Sequence, residues 1–170
     1  MSLDLENRFA ELIGIHGDAL WRLGRGYERD PDKRRDLHQE ILVAIWRALP
    51  SFEERCSVRT FVLRVAHNTA CTHVLGATRR KGEELRSIED LEATSPARPP
   101  DEALDDRLAL ERLAGLVRTL APLDRQLLLL HLEGLDPAAI AEITGLSTTN
   151  VTTKVSRIKA LLVKRFGLEA

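Results

Sequence analysis

Apolar residues recur at three- to four-residue intervals along most of the chain, and the strict alternation that marks strands is almost absent. The pattern predicts a first helix from about Leu5 to Gly26, with Phe9, Leu12, Ile13, His16, Leu20 and Leu23 on or beside one face. Gly24 and Gly26 mark its end. A second helix is predicted from about Asp32 to Leu49, stopping at Pro50 and Ser51. Leu37, Ile41, Ala44, Ile45 and Ala48 form its inward side, while Asp36, Gln39 and Glu40, at i, i+3 and i+4, share one polar surface. A third helix begins near Ser57, whose hydroxyl suits an N-cap, and its apolar side includes Val58, Phe61, Val62, Val65 and Thr69. Three such helices carry enough apolar surface for one small bundle.

The periodicity then lapses. Residues 83–103 are acidic, contain Ser95-Pro96 and Pro99-Pro100, and read as a flexible linker. Helical spacing resumes at Leu104, Leu108, Leu113, Leu116 and Leu120, and Pro122 opens another helix with Leu123, Leu127, Leu128 and Leu130. The expected fold is therefore all-α: two small helical domains, residues 1–82 and 104–170, joined by the acidic linker.

The second domain contains the sharpest local motif. Asp136 is placed to cap a helix starting at Pro137, a residue well tolerated in a first turn. Ile140, Ala141 and Ile143 supply its buried side, Gly145 suits the left-handed residue of a tight turn, and Ser147 suits the cap of the next helix. This is a helix-turn-helix layout, in which the second helix enters the DNA major groove. On that helix Val151, Val155, Ile158, Leu162 and Phe166 form a stripe expected to pack inward. Thr149, Thr152, Thr153, Ser156 and Arg157 lie opposite, flanked by Lys154 and Lys159. Hydroxyls and a guanidinium suit base edges and phosphates, and the lysines suit phosphates.

Charge sharpens this picture. The formal net charge of −1 hides an uneven distribution. From Arg55 to Gly82 there are six basic residues and no acid; from Leu146 to Leu168 there are five, again with no acid. Residues 83–112 carry ten acids against four bases. A basic–acidic–basic chain suggests two polyanion-binding surfaces separated by a segment that polyanions avoid.

Other chemistry is sparse. With 44% hydrophobic and 30% charged residues the composition is that of a soluble globular protein, and no apolar run approaches membrane-spanning length. No secretory signal pattern is present, so a cytoplasmic location without membrane insertion is expected. Cys56 and Cys71 make neither a disulfide framework nor a metal knuckle. His67, Cys71 and His73 lie near one another on the third helix, but no second pair closes a tetrahedral site, so no metal is expected. No phosphate-binding loop, HExxH motif or convergent acid–base set is present, and neither catalysis nor a cofactor is expected. Trp46, at the edge of the polar face of the second helix, suits a protein contact as well as it suits half-burial.

The stretch DLHQEILVAIWRALPSF at 36–52, followed by RTFVLRVAHNTA at 59–70, resembles conserved region 2 of the extracytoplasmic-function sigma factors, members of the sigma-70 family. The segment from Leu120 to Arg157 resembles their region 4. The order of the two, and the short connection without a region 3 domain, also follow this group. The resemblance implies a subunit that confers promoter specificity on bacterial RNA polymerase in transcription initiation. Residues 1–82 would be region 2 and 104–170 region 4, with the linker passing near the RNA path. It implies three partners: core polymerase, through its clamp coiled coil and flap; promoter DNA; and, as one form of control, an anti-sigma factor.

By the same resemblance, Asp36, Gln39, Glu40 and Trp46 face the clamp. The −10 element falls to Phe52, Arg55, Ser57, Arg59, Arg64, Asn68, Arg79 and Arg80. Phe52 and Asn68 are expected to share a pocket for an extruded base at the end of the third helix, where stacking on an aromatic contributes about 1–3 kcal/mol. The −35 element falls to Ser147, Thr149, Thr152, Thr153, Lys154, Ser156 and Arg157. Four features depart from the family: Phe61 where tryptophan is usual, His67 at a variable position beside the asparagine, Arg34-Arg35 where many members carry acids, and threonines where the recognition helix is commonly basic. A stand-alone helix-turn-helix regulator is the alternative, and it leaves the basic, asparagine-bearing bundle without a role.

Overall fold

The computed structural model describes residues 2–93 and 106–166. Among these the architecture is all-α, with a single isolated bridge between Arg86 and Leu120 in place of any sheet. The chain divides into two compact units, one ending at Lys81 and the other starting at Gly82.

The first unit is a bundle of α1 (Ser2–Tyr27), α2 (Pro31–Ala48) and α3 (Val58–Lys81), with one 3₁₀ turn (Leu49–Ser51) after α2. Asp30 starts α2: its carboxylate accepts hydrogen bonds from the backbone N–H groups of Asp32 (2.8 Å) and Lys33 (3.3 Å), and Pro31 follows in the first turn. Those bonds hold the Asp30 carboxyl below its ordinary pKa range. Ser57 caps α3 by accepting from the Thr60 N–H at 3.0 Å. Each helix packs on the other two. The core is Leu12, Leu20 and Leu23 of α1, Leu37, Ile41 and Ile45 of α2, and Phe61, Val62, Leu63, Ala66, Ala70 and Val74 of α3. Val58, expected on the inward side of α3, is exposed, because α3 meets its neighbours one turn later.

The second unit contains α4 (Ile88–Ala93), α5 (Asp106–Thr119), α6 (Pro122–Leu132), α7 (Pro137–Thr144) and α8 (Thr148–Phe166). Helices α6, α7 and α8 pack mutually around Leu127, Leu128, Leu130, Leu135, Ile140, Ile143, Val151, Val155 and Ile158. In the α7–α8 turn Gly145 has φ +77°, a left-handed value that a Cβ would disfavour. Asp136 caps α7 by accepting from the Ala139 N–H at 2.8 Å, and the Ser147 hydroxyl accepts from the Asn150 N–H at 3.1 Å.

Three details differ from the sequence pattern. Leu161, rather than Leu162, continues the buried stripe of α8, because that stripe must face α6 and α7 together. Leu108 of α5 is exposed. Most consequentially, α4 forms inside the stretch read as a featureless linker and packs on α8. Leu104, and linker residues 94–103, lie outside the described residues, as does the side chain of Phe166.

Candidate polymerase and nucleic-acid interfaces

On α2, Asp36, Gln39 and Glu40 are all exposed on one surface, as their i, i+3, i+4 spacing requires. Trp46, a further two turns along, is half-buried, its ring meeting Phe9 of α1 edge-on with centroids 5.2 Å apart. Part of its apolar surface is therefore used within the bundle. Arg35 pairs with Asp32 at 3.2 Å, so its charge is partly matched within the first turn of α2. Glu40 has a partner that the sequence did not reveal: His73 of α3 stands 3.5 Å from Glu40 and 3.3 Å from Glu28, joining three elements of the bundle.

Three of the residues expected at the −10 element, Asn68, Arg80 and Phe52, line two separate concavities. Asn68, exposed near the middle of α3, lines an open surface of about 580 Å³ with Glu40, Thr69, Thr72, His73, Gly76 and Arg80. Phe52 instead lines a recess of about 300 Å³ whose walls include Leu12, Ile15 and His16 of α1. Asn68 and Phe52 therefore do not line the same concavity. The reason is steric: after the 3₁₀ turn the chain presses the Phe52 ring onto Phe61, with centroids 4.5 Å apart and planes inclined by 27°. Phe52 is half-buried as a result, and Phe61 is buried.

The remaining basic residues of this unit ring the bundle. Arg55 and Arg59 are exposed, Arg64 is half-buried, and Arg79 and Arg80 are exposed near the end of α3. Arg55 contacts Glu53 at 2.5 Å. Ser57 uses its hydroxyl in the α3 cap and also approaches the Thr60 hydroxyl at 2.9 Å.

Behind Asn68 lies a buried polar contact. His67 is fully buried, and the Tyr27 hydroxyl meets its Nδ1 at 2.7 Å while lying 3.7 Å from the Cys71 sulfur. Burial alone pushes the His67 imidazole down to about 3, so it is neutral at physiological pH. The His67–Cys71–His73 group of the sequence thus separates into a core histidine, a half-buried thiol and a surface-bridging histidine.

On α8, Ser147, Thr149, Thr152, Thr153 and Ser156 are exposed and opposite the core, so the hydroxyl-rich face is continuous. The Thr152 hydroxyl donates back to the Thr148 carbonyl at 3.0 Å, which leaves its oxygen outward. Lys154 and Arg157 are not simply exposed. Lys154 Nζ lies 3.2 Å from Glu89 and 3.3 Å from buried Asp124, and the Arg157 guanidinium meets both Glu92 and Glu89. Burial pulls the Lys154 pKa down, but the Asp124 and Glu89 carboxylates outweigh it and raise it overall. The Arg157 hydrogen bond holds the Glu92 carboxyl below its ordinary range.

Asp124 is the residue that sequence reasoning missed. It is 2% exposed, accepts the backbone N–H of Ile88 at 2.9 Å, and takes Lys154 on its other oxygen. Its place directly after Pro122-Leu123, in the first turn of a leucine-rich helix, was the only signal available. Beside it Arg125, 1% exposed, donates to the backbone carbonyls of Arg118 and Leu120, tying the α5–α6 connection to α6.

A compact three-helix unit followed by a helix-turn-helix unit with a hydroxyl- and cation-bearing second helix defines a two-module, DNA-binding architecture. Comparison with known proteins gives it a family. The Sigma-70 region 2 model matches residues 12–80 and the Sigma-70, region 4 model matches residues 110–162, together well over half the chain. The chain belongs to the sigma-70 family and is of the extracytoplasmic-function type.

Similar curated proteins are the RNA polymerase sigma factors NccH of Alcaligenes xylosoxydans xylosoxydans and CnrH of Cupriavidus metallidurans. NccH is 28% identical over 161 residues, covering 91% of this chain and 84% of the relative. CnrH is 28% identical over 168 residues, covering 92% and 85%. Among solved structures, CnrH in complex with the cytosolic domain of CnrY has a TM-score of 0.63 at 22% identity, covering 92% of this chain and 86% of that one. The sigma factor RpoE in complex with the anti-sigma factor NepR, from Bartonella quintana, has a TM-score of 0.68 at 20% identity, covering 96% and 99%. These two likenesses support the all-α fold. Among the described residues, no helix is long and apolar enough to cross a membrane.

Proposed function

We propose that this chain directs promoter-specific transcription initiation by binding core RNA polymerase and the −10 and −35 promoter elements. One observation carries the reading: both sigma modules match on a single chain, in the family's order. A stand-alone regulator would need only the second. In this reading residues 1–82 act on polymerase and the −10 element, 83–103 connect, and 104–170 act on the −35 element.

Asp36, Gln39 and Glu40 dock on polymerase, supported by their common exposure on α2, with Trp46 contributing its outer edge. Asn68 and Arg80 serve the −10 strand from one concavity: the carboxamide suits a base edge and the guanidinium a phosphate. Arg55, Arg59, Arg64 and Arg79 follow phosphates, Ser57 fixes the start of α3, and Phe52 supports the adjoining recess from the bundle core. On α8, Ser147, Thr149, Thr152, Thr153 and Ser156 offer hydroxyls to the groove, and Lys154 and Arg157 offer the charge. An anti-sigma factor is a fitting regulator, since both similar solved structures are complexes of sigma factors with other chains.

Run-off transcription by core polymerase on a promoter library, with and without this protein, tests the proposal. Transcripts from a discrete promoter subset only when the protein is present are expected. Specific promoter binding by the chain alone, with no effect on core polymerase, would instead establish the stand-alone regulator.

A further inference from the structure

The acidic helix α4 lies on the same cations that the proposed −35 face of α8 would offer to DNA. Glu89 and Glu92, at i and i+3, project from one side of α4. Glu92 holds the Arg157 guanidinium, with Nε at 3.0 Å, and Glu89 reaches both Arg157 (3.3 Å) and Lys154 (3.2 Å). A carboxylate on a guanidinium presents the geometry that a DNA phosphate or a guanine edge would present there. The two cannot occupy Arg157 together.

The position of α4 is built, not incidental. Ile88 is 0% and Leu91 3% exposed, so the adjacent side of the short helix is anchored in the apolar core of the unit. The Ile88 N–H donates to buried Asp124 at 2.9 Å. Ser87 and Asp90 cap the helix reciprocally: the Asp90 N–H donates to the Ser87 hydroxyl at 3.2 Å, and the Ser87 N–H donates to Asp90 at 3.1 Å. Just upstream, Arg86 exchanges backbone hydrogen bonds with Thr119 (3.0 Å) and Ala121 (2.7 Å). Backbone, cap and apolar anchors all fix the register that brings Glu89 and Glu92 onto α8.

We propose that α4 is an intramolecular latch that competes with promoter DNA for Lys154 and Arg157, so that the second unit engages DNA only as these carboxylates give way to phosphates. This rests on the reading of α8 as the −35 face. The ion pairs themselves are exposed and individually weak, which makes the latch reversible. Its effectiveness comes from tethering: Ile88 and Leu91 keep the carboxylates at a high effective concentration beside α8. Free DNA must displace a competitor that never diffuses away.

The test is fluorescence anisotropy of the full chain with a labelled, mixed-sequence DNA duplex two helical turns long, at low salt. The double variant Glu89→Gln/Glu92→Gln removes the α4 charges that meet α8 and leaves Ile88, Leu91, the Ser87–Asp90 cap and the Lys154–Asp124 contact in place. It should bind about tenfold more tightly than wild type. The salt dependence should steepen by about one in log–log slope, because Arg157 becomes available to phosphates at roughly 0.9, whereas Lys154 keeps its contact with buried Asp124. Glu83→Gln/Glu84→Gln removes the same charge outside α4, and should give a much smaller gain with an unchanged slope. Equal gains from the two double variants would overturn the latch. Adding Lys154→Ala/Arg157→Ala to Glu89→Gln/Glu92→Gln should abolish the gain. A gain that survives those alanines would overturn the assignment of α8 as the DNA face, a separate failure from the first.

Discussion

The buried imidazole of His67 makes the first unit acid-labile by a calculable amount. In the folded chain its pKa is pushed from the ordinary 6.5 to about 3 by burial, whereas the unfolded chain restores the ordinary value. Between these values the unfolded state binds the extra proton, so stability falls as pH falls. The contribution is fully present above about pH 6.5 and is lost progressively toward pH 3. One pKa unit corresponds to about 1.4 kcal/mol, so the step from pH 6.5 to pH 5 removes roughly 2 kcal/mol. That is a large share of the 5–15 kcal/mol or so that keeps a typical domain folded. His16 and His38 are also lowered by burial, His16 further by Arg59, so they push in the same direction. The variant His67→Gln separates them, because it is neutral throughout and its amide can either accept from or donate to the Tyr27 hydroxyl. The chain has two tryptophans, Trp21 and Trp46, both in the first unit, so intrinsic fluorescence reports the unfolding of that unit alone. Trp21 stacks on His38 with centroids 4.4 Å apart, so midpoints rather than amplitudes are the quantity to follow. Urea unfolding of wild type between pH 7.5 and 5 should show a steeper loss of stability than His67→Gln, by about 1.4 kcal/mol per pH unit below 6.5. Parallel slopes for the two proteins would show that His67 protonates in place and refute the reasoning.

Three further outcomes follow from the proposed function. Asp36→Ala/Gln39→Ala should weaken competition for core polymerase about tenfold or more while leaving the helical content unchanged, since both side chains are exposed. Glu40→Ala is measured separately, because it also removes the contact with His73. Arg157→Ala should reduce −35-dependent transcription by roughly one to two orders of magnitude if the guanidinium reads a base; equal discrimination among −35 variants would restrict it to the backbone. Asn68→Ala should leave folding and core binding intact and impair opening of a duplex promoter, followed by permanganate footprinting. A template already unpaired at the −10 element should recover only part of that loss, and normal opening would remove Asn68 from the interface.

The helix-turn-helix was legible because each of its signals acts within a few residues: Asp136 caps its own helix, Gly145 relieves its own backbone, and Ser147 caps the next. The inward stripes of α2 and α8 were legible for the same reason, apart from Leu161, whose burial depends on two partner helices at once. What escaped depends on residues distant in sequence. Phe52 follows the 3₁₀ turn after α2, yet its position is set by Phe61, and it lines a different concavity from Asn68. Helix α4 has only two apolar anchors, three residues apart in an acid-rich stretch, too few to register as periodicity. Its partners, Asp124, Lys154 and Arg157, stand 30 residues or more downstream.

That distance changes the meaning of the charge pattern. Read along the chain, ten acids between two basic stretches form a segment that polyanions avoid. Folded, two of those acids lie against the second basic stretch and offset the cations nearest its hydroxyl row. Lys159 and Lys164 stand exposed farther along α8, and Thr149, Thr152, Thr153 and Ser156 carry no charge. Affinity for DNA comes chiefly from cations on phosphates, whereas hydroxyls on base edges mainly discriminate. With α4 docked, the proposed recognition face therefore keeps its hydroxyls exposed but has much of its positive charge offset. An encounter anywhere along random DNA gains little, because Lys154 and Arg157 must first leave Glu89 and Glu92. A sequence that satisfies the hydroxyl row holds α8 in place long enough for that exchange to occur. In the proposed reading the latch opposes specific and non-specific binding through the same two cations, so the exposed hydroxyl row supplies the difference between them.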